Sequence, residues 1–474
     1  MRFSTILFLL ICSLQTIAQV STDSISYKND LAIYKKTLEE THPSLYRFSS
    51  KEKFDSLFNL TKSNLDKKTT ELDFFRAISK LSSLVREGHS YIQPTKSLSS
   101  SIQNKSLFPF SVLVEDSCIT VQDSRSAELA YLKKAVIYSI NGQSVKSILK
   151  SLSESTCMVS AFNNSGLKSR LSLYNNFAFA YYYFIDTTST FNIDFRLISD
   201  NKIRTATIEG SSAQLSGKNY PQLPADPIPP FSLEINEQRS TAIMSISTFA
   251  YWAVGKKIKD YSKFFKKSFT SIQNQKIKNL IIDVRGNRGG EEMIAGELLT
   301  YLIDYEFRIY KYSKANSLEF DFINSLPNSN QIKLSKSNYI VSDSGFVMKR
   351  ADFLKEYVPQ KKNQFKGNVY LLSNGICASA CHIFLALIKT HKVGKIIGQE
   401  SGGAFEDVDG RQRIKFTLPY SKIFVSYPTW AMKLNTSGGD KRRGVIPDYE
   451  VFPTIEDIAL GKDVEMELAL KLIR

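Results

Sequence analysis

Cysteine is scarce, with five in 474 residues, and no paired CxxC motif occurs. That argues against a structural zinc site. One cysteine, Cys12, falls in the first twenty residues, leaving Cys118, Cys157, Cys377 and Cys381. Cys377 and Cys381 stand four apart at a helix start, which is poor geometry for a bridge along one helix, and all four read as small buried thiols. Beyond the first twenty residues there is no long uncharged apolar run, so no later segment suits a membrane-spanning helix. Internal repeats and long low-complexity tracts are also missing. Acid is in deficit: 62 Lys and Arg face 46 Asp and Glu, a net charge of +16. The basic residues are scattered, in short clusters such as Lys256-Lys257, Lys266-Lys267 and Lys441-Arg442-Arg443. No nucleic-acid motif accompanies them, so nucleic acid is not the expected partner. A solvated surface of this sign favours anionic envelope surfaces, as a peripheral association, or acidic partners.

An apolar fraction of 42% and a charged fraction of 23% are those of a soluble globular protein. The length calls for two or three domains. Residues 1–18 differ from the rest. Arg2 precedes a largely apolar run from Phe3 to Leu14, and Thr16-Ile17-Ala18 ends in a small residue. This is the pattern of a secretory signal peptide cut after Ala18, with a periplasmic or secreted destination. Ile11 before Cys12 is bulky, against a lipoprotein signal.

Residues 19–105 read as helical, with apolar residues at helical spacing in Asp30–Tyr34 and Leu72–Ile78. His42-Pro43 breaks the first pattern, and His42 reads as a structural turn residue. Gly88 stops the second, placing His89 in a junction loop. Residues 106–216 read as a small, mostly β module, with an Asn141-Gly142 turn. Five prolines make 217–230 a linker. From 231 to 474, strand alternates with helix, as in an α/β domain with a parallel sheet. Within it, 304–366 reads as an irregular, charged insertion that covers the site.

Two stretches of this last region carry the chemistry. Leu371–Leu387, LLSNGICASACHIFLAL, passes from strand to helix, with Ser379 between Ala378 and Ala380 at the join. A serine there is either a helix cap or a nucleophile beside unpaired helix N-terminal amides. The turn Gly286-Asn287-Arg288-Gly289-Gly290 lacks the Gly-Lys-Ser/Thr ending of a P-loop. It either permits a tight bend or brings bare N–H groups to a developing oxyanion.

IIDVRGNRGG, SNGICASACHIF, IIGQESGG and RGVIPDYEV follow one another in this order. Together they resemble the serine peptidases of the C-terminal processing (tail-specific) and tricorn-core family. Ile140-Asn141-Gly142 resembles part of the PDZ-type module such enzymes carry. The resemblance implies a ClpP/crotonase-like α/β catalytic domain behind a helical front and a PDZ-like β module. It implies a peptide or protein substrate, no metal and no organic cofactor. It assigns the nucleophile to Ser379 and the oxyanion hole to the backbone N–H of Gly289 or Gly290 with that of Ala380. The processing branch has its general-base lysine where this chain has Ala404, which points instead to the tricorn branch and its upstream histidine, here His89. His382 and His391 suit the role less: the first points elsewhere on the helix face, and the second lies at the far end of that helix. Placement makes Asp440 the expected orienting acid, with Glu400, Glu406 and Asp407 left open. The other reading of the missing lysine is a catalytically inactive peptide- or ligand-binding homologue. Cleavage preference and oligomeric state are left open.

Overall fold

The computed structural model describes residues 24–200, 202–212, 229–343, 345–349 and 354–473. The signal-peptide expectation and most of the 217–230 linker lie outside them.

The chain opens with three helices, α1 (Ser24–Thr41), α2 (Lys51–Asn64) and α3 (Glu71–Ser83). Ser50 caps α2, and Thr70 with Asp73 forms a reciprocal capping box on α3, satisfying amides that would otherwise be bare. Their apolar faces bury Leu31, Tyr34, Phe54, Phe74 and Ile78. That core also takes in Ile414, Phe416, Val425 and Tyr427 from far along the chain. The helical front is therefore packed onto the C-terminal half. A short strand, β1 (Tyr91–Gln93), follows the His89 loop.

The next stretch contains β2 (Phe110–Val114), β3 (Ile119–Ser124), β4 (Val136–Ile140), α4 (Val145–Ser155), α5 (Asn164–Leu171), α6 (Asn176–Phe184), β5 (Thr190–Arg196) and β6 (Ile203–Glu209). The strands form an antiparallel sheet in the order β2-β3-β4-β5-β6. Asn141 and Gly142, at φ +49° and +75°, make the tight turn after β4 that the Asn-Gly pair predicts. Three helices also lie in this stretch, which its sequence reads as mostly β. Phe177 and Tyr181 of α6 pack their rings against Phe108 and Phe191, so tertiary burial overrides the strand preference of an aromatic run.

The last region holds β7 (Phe231–Asn236), β8 (Thr241–Ile246), α7 (Ile258–Asn274), β9 (Asn279–Asp283), α8 (Glu292–Thr300), β10 (Tyr310–Ala315), β11 (Tyr339–Ser342), β12 (Gly345–Met348), β13 (Asn368–Ser373), α9 (Ala380–His391), β14 (Lys395–Gly398), β15 (Asp407–Thr417), β16 (Phe424–Leu434), β17 (Tyr449–Glu450) and α10 (Val464–Leu472). Its central sheet runs β7-β8-β9-β13-β14-β17, parallel except for the β7–β8 hairpin. Leu280 and Ile282 face one side with Phe265, Leu298 and Phe384 of the helices. Ile281 faces the other, with Leu372, Ile397 and Ala469 of α10. Burial on both faces explains why β9 reads as an unbroken apolar run.

A second sheet is built from β15, β16, β10, β12 and β11. Residues 304–366 are therefore not the irregular insertion their sequence suggests. They contribute three strands of this sheet and bury Tyr310, Ala315, Tyr339 and Met348 in the same core as the central sheet. At its other edge β1 joins β16, with Tyr91 opposite Ser426 and Gln93 opposite Phe424. That pairing ties the His89 loop to the C-terminal half.

Candidate active site

Ser379 stands at the N-cap position of α9, yet its side chain makes no capping hydrogen bond. Its backbone is at φ +52°, ψ −126°, a region a non-glycine residue occupies at a cost of about 1–3 kcal/mol. Neighbouring contacts hold it there. Ala378 N–H donates to Asn287 O at 3.2 Å, Cys377 Sγ donates to Val284 O at 3.1 Å, and Gly402 N–H donates to Cys377 O at 2.7 Å. The glycine turn lies directly against this bend. A Cβ on Gly289 would sit 2.5 Å from Ala378 O and 2.7 Å from Ser379 Cβ.

The turn also separates the two candidate glycine amides. Gly289 N–H is taken by the side-chain Oδ1 of buried Asn287 at 2.8 Å. Asn287 is itself anchored by its Nδ2 donating to Ile246 O at 3.1 Å. Gly290 N–H and Ala380 N–H donate to no acceptor among the described residues, and both residues line the cleft that holds Ser379. The structure leaves the amides of Gly290 and Ala380 available for an oxyanion and commits that of Gly289 to Asn287.

His89 lines the same cleft, about 910 Å³ in volume. Its loop is clamped by a neighbouring segment: Gly88 N–H donates to Ser160 Oγ at 3.0 Å, Glu87 N–H to Cys157 Sγ at 3.2 Å, and Ala161 N–H to Arg86 O at 2.8 Å. Arg86, at φ +49°, turns the chain so that Glu87 folds back on its own loop. Glu87 Oε1 accepts from His89 Nδ1 at 2.8 Å, and Oε2 accepts the His89 backbone N–H at 2.9 Å. Burial by itself would push the Glu87 carboxyl up, but the imidazole and the amide hold it below its ordinary range. With Nδ1–H given to a carboxylate, Nε2 is the lone-pair nitrogen left for chemistry.

Behind Glu87 the polar contacts continue. Ser44 N–H donates to His42 Nδ1 at 3.2 Å, so neutral His42 carries its proton on Nε2. That nitrogen meets Ser90 Oγ at 3.1 Å, and Ser90 Oγ donates to Glu87 Oε2 at 3.2 Å. Burial pushes the His42 imidazole down to about 4. His42 is thus structural, as its place before Pro43 suggests, and it also supports Glu87 through Ser90.

The other candidates make other contacts. Asp440, the expected orienting acid, is exposed, accepts from Arg442 N–H at 2.8 Å, and makes no contact with His89. Asp440 belongs to the loop before β17 and caps its own turn, whereas Glu87 reaches the imidazole from two residues away. Glu400 is buried in a two-pronged pair with Arg443 and accepts Gly444 N–H at 2.6 Å. Glu406 and Asp407 pair with Lys433. His382 is fully buried, with Nδ1 at 2.8 Å from Ser401 Oγ and Nε2 at 2.8 Å from the carbonyl of Ala404. Burial pushes it down to about 4. Its ring braces the loop that carries Ala404. His391 meets Tyr305 OH at 2.7 Å, away from the cleft.

Residues 240–451 match the family model described as peptidase family S41. That match spans a little under half of the chain. Over 213 residues the chain is 25% identical to a tricorn-like protease C-terminal subunit of Sulfurisphaera tokodaii, a match covering 45% of this chain and 19% of that protein. The chain thus spans about a fifth of that relative's length. Mature CPAF has the same fold across nearly the whole chain: TM-score 0.62 at 13% identity, covering 95% of this chain and 96% of that one. CPAF complexed with lactacystin aligns with TM-score 0.63 at 13% identity, covering 95% and 98%. The matched residues include Ser379, Gly290 and Ala380, while His89 and Glu87 lie outside them.

The four described cysteines are free thiols. No helix among the described residues is long and apolar enough to cross a membrane.

Proposed function

We propose that this chain is an exported serine peptidase in which Ser379 is the nucleophile, His89 the general base and Glu87 the residue that orients the base. The observation that carries the reading is the shared cleft: Ser379 and His89 open on it together with Gly290 and Ala380, whose amides are unengaged. Export rests on residues 1–18 alone.

In this reading Ser379 Oγ attacks the peptide carbonyl carbon as His89 Nε2 takes the hydroxyl proton. Glu87 stabilises the imidazolium through Nδ1–H and takes no proton itself. The carbonyl oxygen becomes an oxyanion held by the amides of Gly290 and Ala380, each worth about 10²–10³ in rate. The C–N bond then breaks, His89 returns its proton to the leaving amine, and Ser379 is left as an ester. Water, activated by the same imidazole, hydrolyses the ester and restores the serine. A lysine has no part in this scheme, because the imidazole of His89 already supplies the proton acceptor.

The mature chain, Ser379→Ala and His89→Ala are to be compared on a proteome-derived peptide mixture and by labelling with a fluorophosphonate probe. Cleavage and labelling by the parent, both lost in Ser379→Ala, are expected. Equal cleavage by all three proteins would overturn the reading.

A further inference from the structure

Among the cationic groups of the cleft beside Ser379 are the guanidinium groups of Arg170 and Arg288, which make no hydrogen bond or ion pair among the described residues. Arg170 lies near the end of α5, a helix docked against the nucleophile loop. Asn163 caps α5 through its Oδ1, and its Nδ2 donates to Ser401 O. Gly375 packs against the Ser165 carbonyl so closely that it has no room for a side chain. Arg170 is thus delivered to the cleft by a rigid element. Its carbonyl accepts from Asn176 Nδ2 at 2.8 Å, but its guanidinium makes no hydrogen bond or ion pair among the described residues. Arg288 is exposed on the glycine turn, one residue before Gly289, and is likewise unpaired. Both line the cleft with Ser379.

Most carboxylates of this cleft are already taken. Asp409 is held by Ser44 and Arg47, Asp407 faces Lys433, and Glu292 pairs with Arg411. Glu87, whose charge reaches Arg170, is occupied by His89 and Ser90. Glu291 is left, and the arginine its charge reaches is Arg411. Burial first, and the like charge of Arg288 second, hold the Arg170 guanidinium below its ordinary range. Two cations sharing a partly desolvated space repel one another, and an anion between them removes the repulsion. The planar guanidinium fork suits a carboxylate in particular.

We infer that Arg170 and Arg288 form a carboxylate-binding subsite next to Ser379, which selects peptides bearing a carboxylate close to the scissile bond. Selection by cleavage rests on the peptidase reading above; binding does not. Arg288 stands two residues before Gly290, whose amide is proposed to hold the oxyanion, which puts the carboxylate within a residue or two of that bond. It is supplied either by an acidic side chain or by a free chain end.

The test uses the mature chain on a proteome-derived peptide library, followed by matched synthetic peptides built on the best-cleaved sequence. One pair exchanges Glu for Gln in an end-blocked peptide, and a second exchanges C-terminal acid for amide. The carboxylate member of one pair is expected to be favoured about tenfold in kcat/KM, and which pair shows it identifies the source. That ratio should fall toward one in Arg170→Gln with Arg288→Gln. Arg288→Glu, at an exposed position, should turn the preference toward Lys in place of Glu. Absence of preference in both pairs, or a preference unchanged in the variants, would overturn the subsite. If the parent cleaves nothing, the peptidase reading fails and the subsite is judged by binding of fluorescein-labelled Glu and Gln peptides from the same library. Tighter binding of the Glu peptide, lost in the double variant, supports it, and equal binding overturns it.

Discussion

Glu87 holds His89 twice, through Nδ1 at 2.8 Å and through the backbone N–H at 2.9 Å. The proposed base and its proposed orienting acid therefore sit on one loop, two residues apart, and are clamped as a unit. In Glu87→Gln the shape is kept but the charge and the preferred tautomer are lost. Activity on a peptide substrate should fall about 10²–10⁴-fold, mostly in kcat. Asp440→Asn, at the position first suggested by sequence, should stay within about twofold, as for an exposed surface change. Steady-state kinetics of the two variants side by side decides between the acids.

Ser90 links His42 to Glu87. Ser90→Ala removes a buried donor to the Glu87 carboxylate and strands the His42 Nε2–H. A stability loss of about 1–3 kcal/mol is expected from the unpaired group, together with a fall in kcat and little change in KM. Urea denaturation and kinetics measure the two effects, and Ser90→Thr, which keeps the hydroxyl, should restore part of both.

Gly289 is at φ +93°, and a Cβ there would meet Ala378 O at 2.5 Å and Ala380 N at 2.8 Å. Gly289→Ala must push the nucleophile bend aside. A loss of about 1–3 kcal/mol in stability is expected from overpacking and strain. Because the displaced atoms include the Ala380 amide, kcat should fall by at least about tenfold beyond any loss of folded protein. Fluorophosphonate labelling rate, normalised to the folded fraction, separates the two.

His42 and His382 are both buried and pushed down to about 4 from an ordinary 6.5. Between those values the unfolded chain takes up a proton that the folded chain refuses. Stability is therefore full above pH 6.5 and is lost as pH falls toward 4, by about 2 kcal/mol per histidine down to pH 5. The depressed Glu87 acts lower: its contribution is present above 4.5 and is lost as pH falls through its own folded value. Urea midpoints at pH 7, 6 and 5 measure the slope, and His382→Gln should flatten it by roughly half.

Much of the central sheet was legible in the sequence. β9 falls where an unbroken apolar run predicts it, because a strand buried on both faces leaves a continuous signal, and β13 falls where Leu371–Leu387 passes from strand to helix. The bend at Ser379 was legible too, since small residues flank it and a glycine turn precedes it in the neighbouring unit. The strands between 304 and 366 were not. They are short, and their burial comes from partners on β16 rather than from local alternation. Glu87 stood in plain view, two residues from His89 with a glycine between. Its role depends on the positive φ of Arg86 and the clamp from Cys157, Ser160 and Ala161, and neither leaves a local pattern.

By itself, the sequence determined the central strands and helices of residues 240–451 and the place of Ser379, because burial and turn chemistry act on residues close together in the chain. Only the tertiary structure decided which acid holds the histidine, which glycine amide stays free and which arginines face the cleft. Those depend on where β1 pairs with β16, how Asn287 spends its carbonyl, and how α5 docks on the nucleophile loop. Each is a contact between segments far apart in sequence, where spacing carries no information.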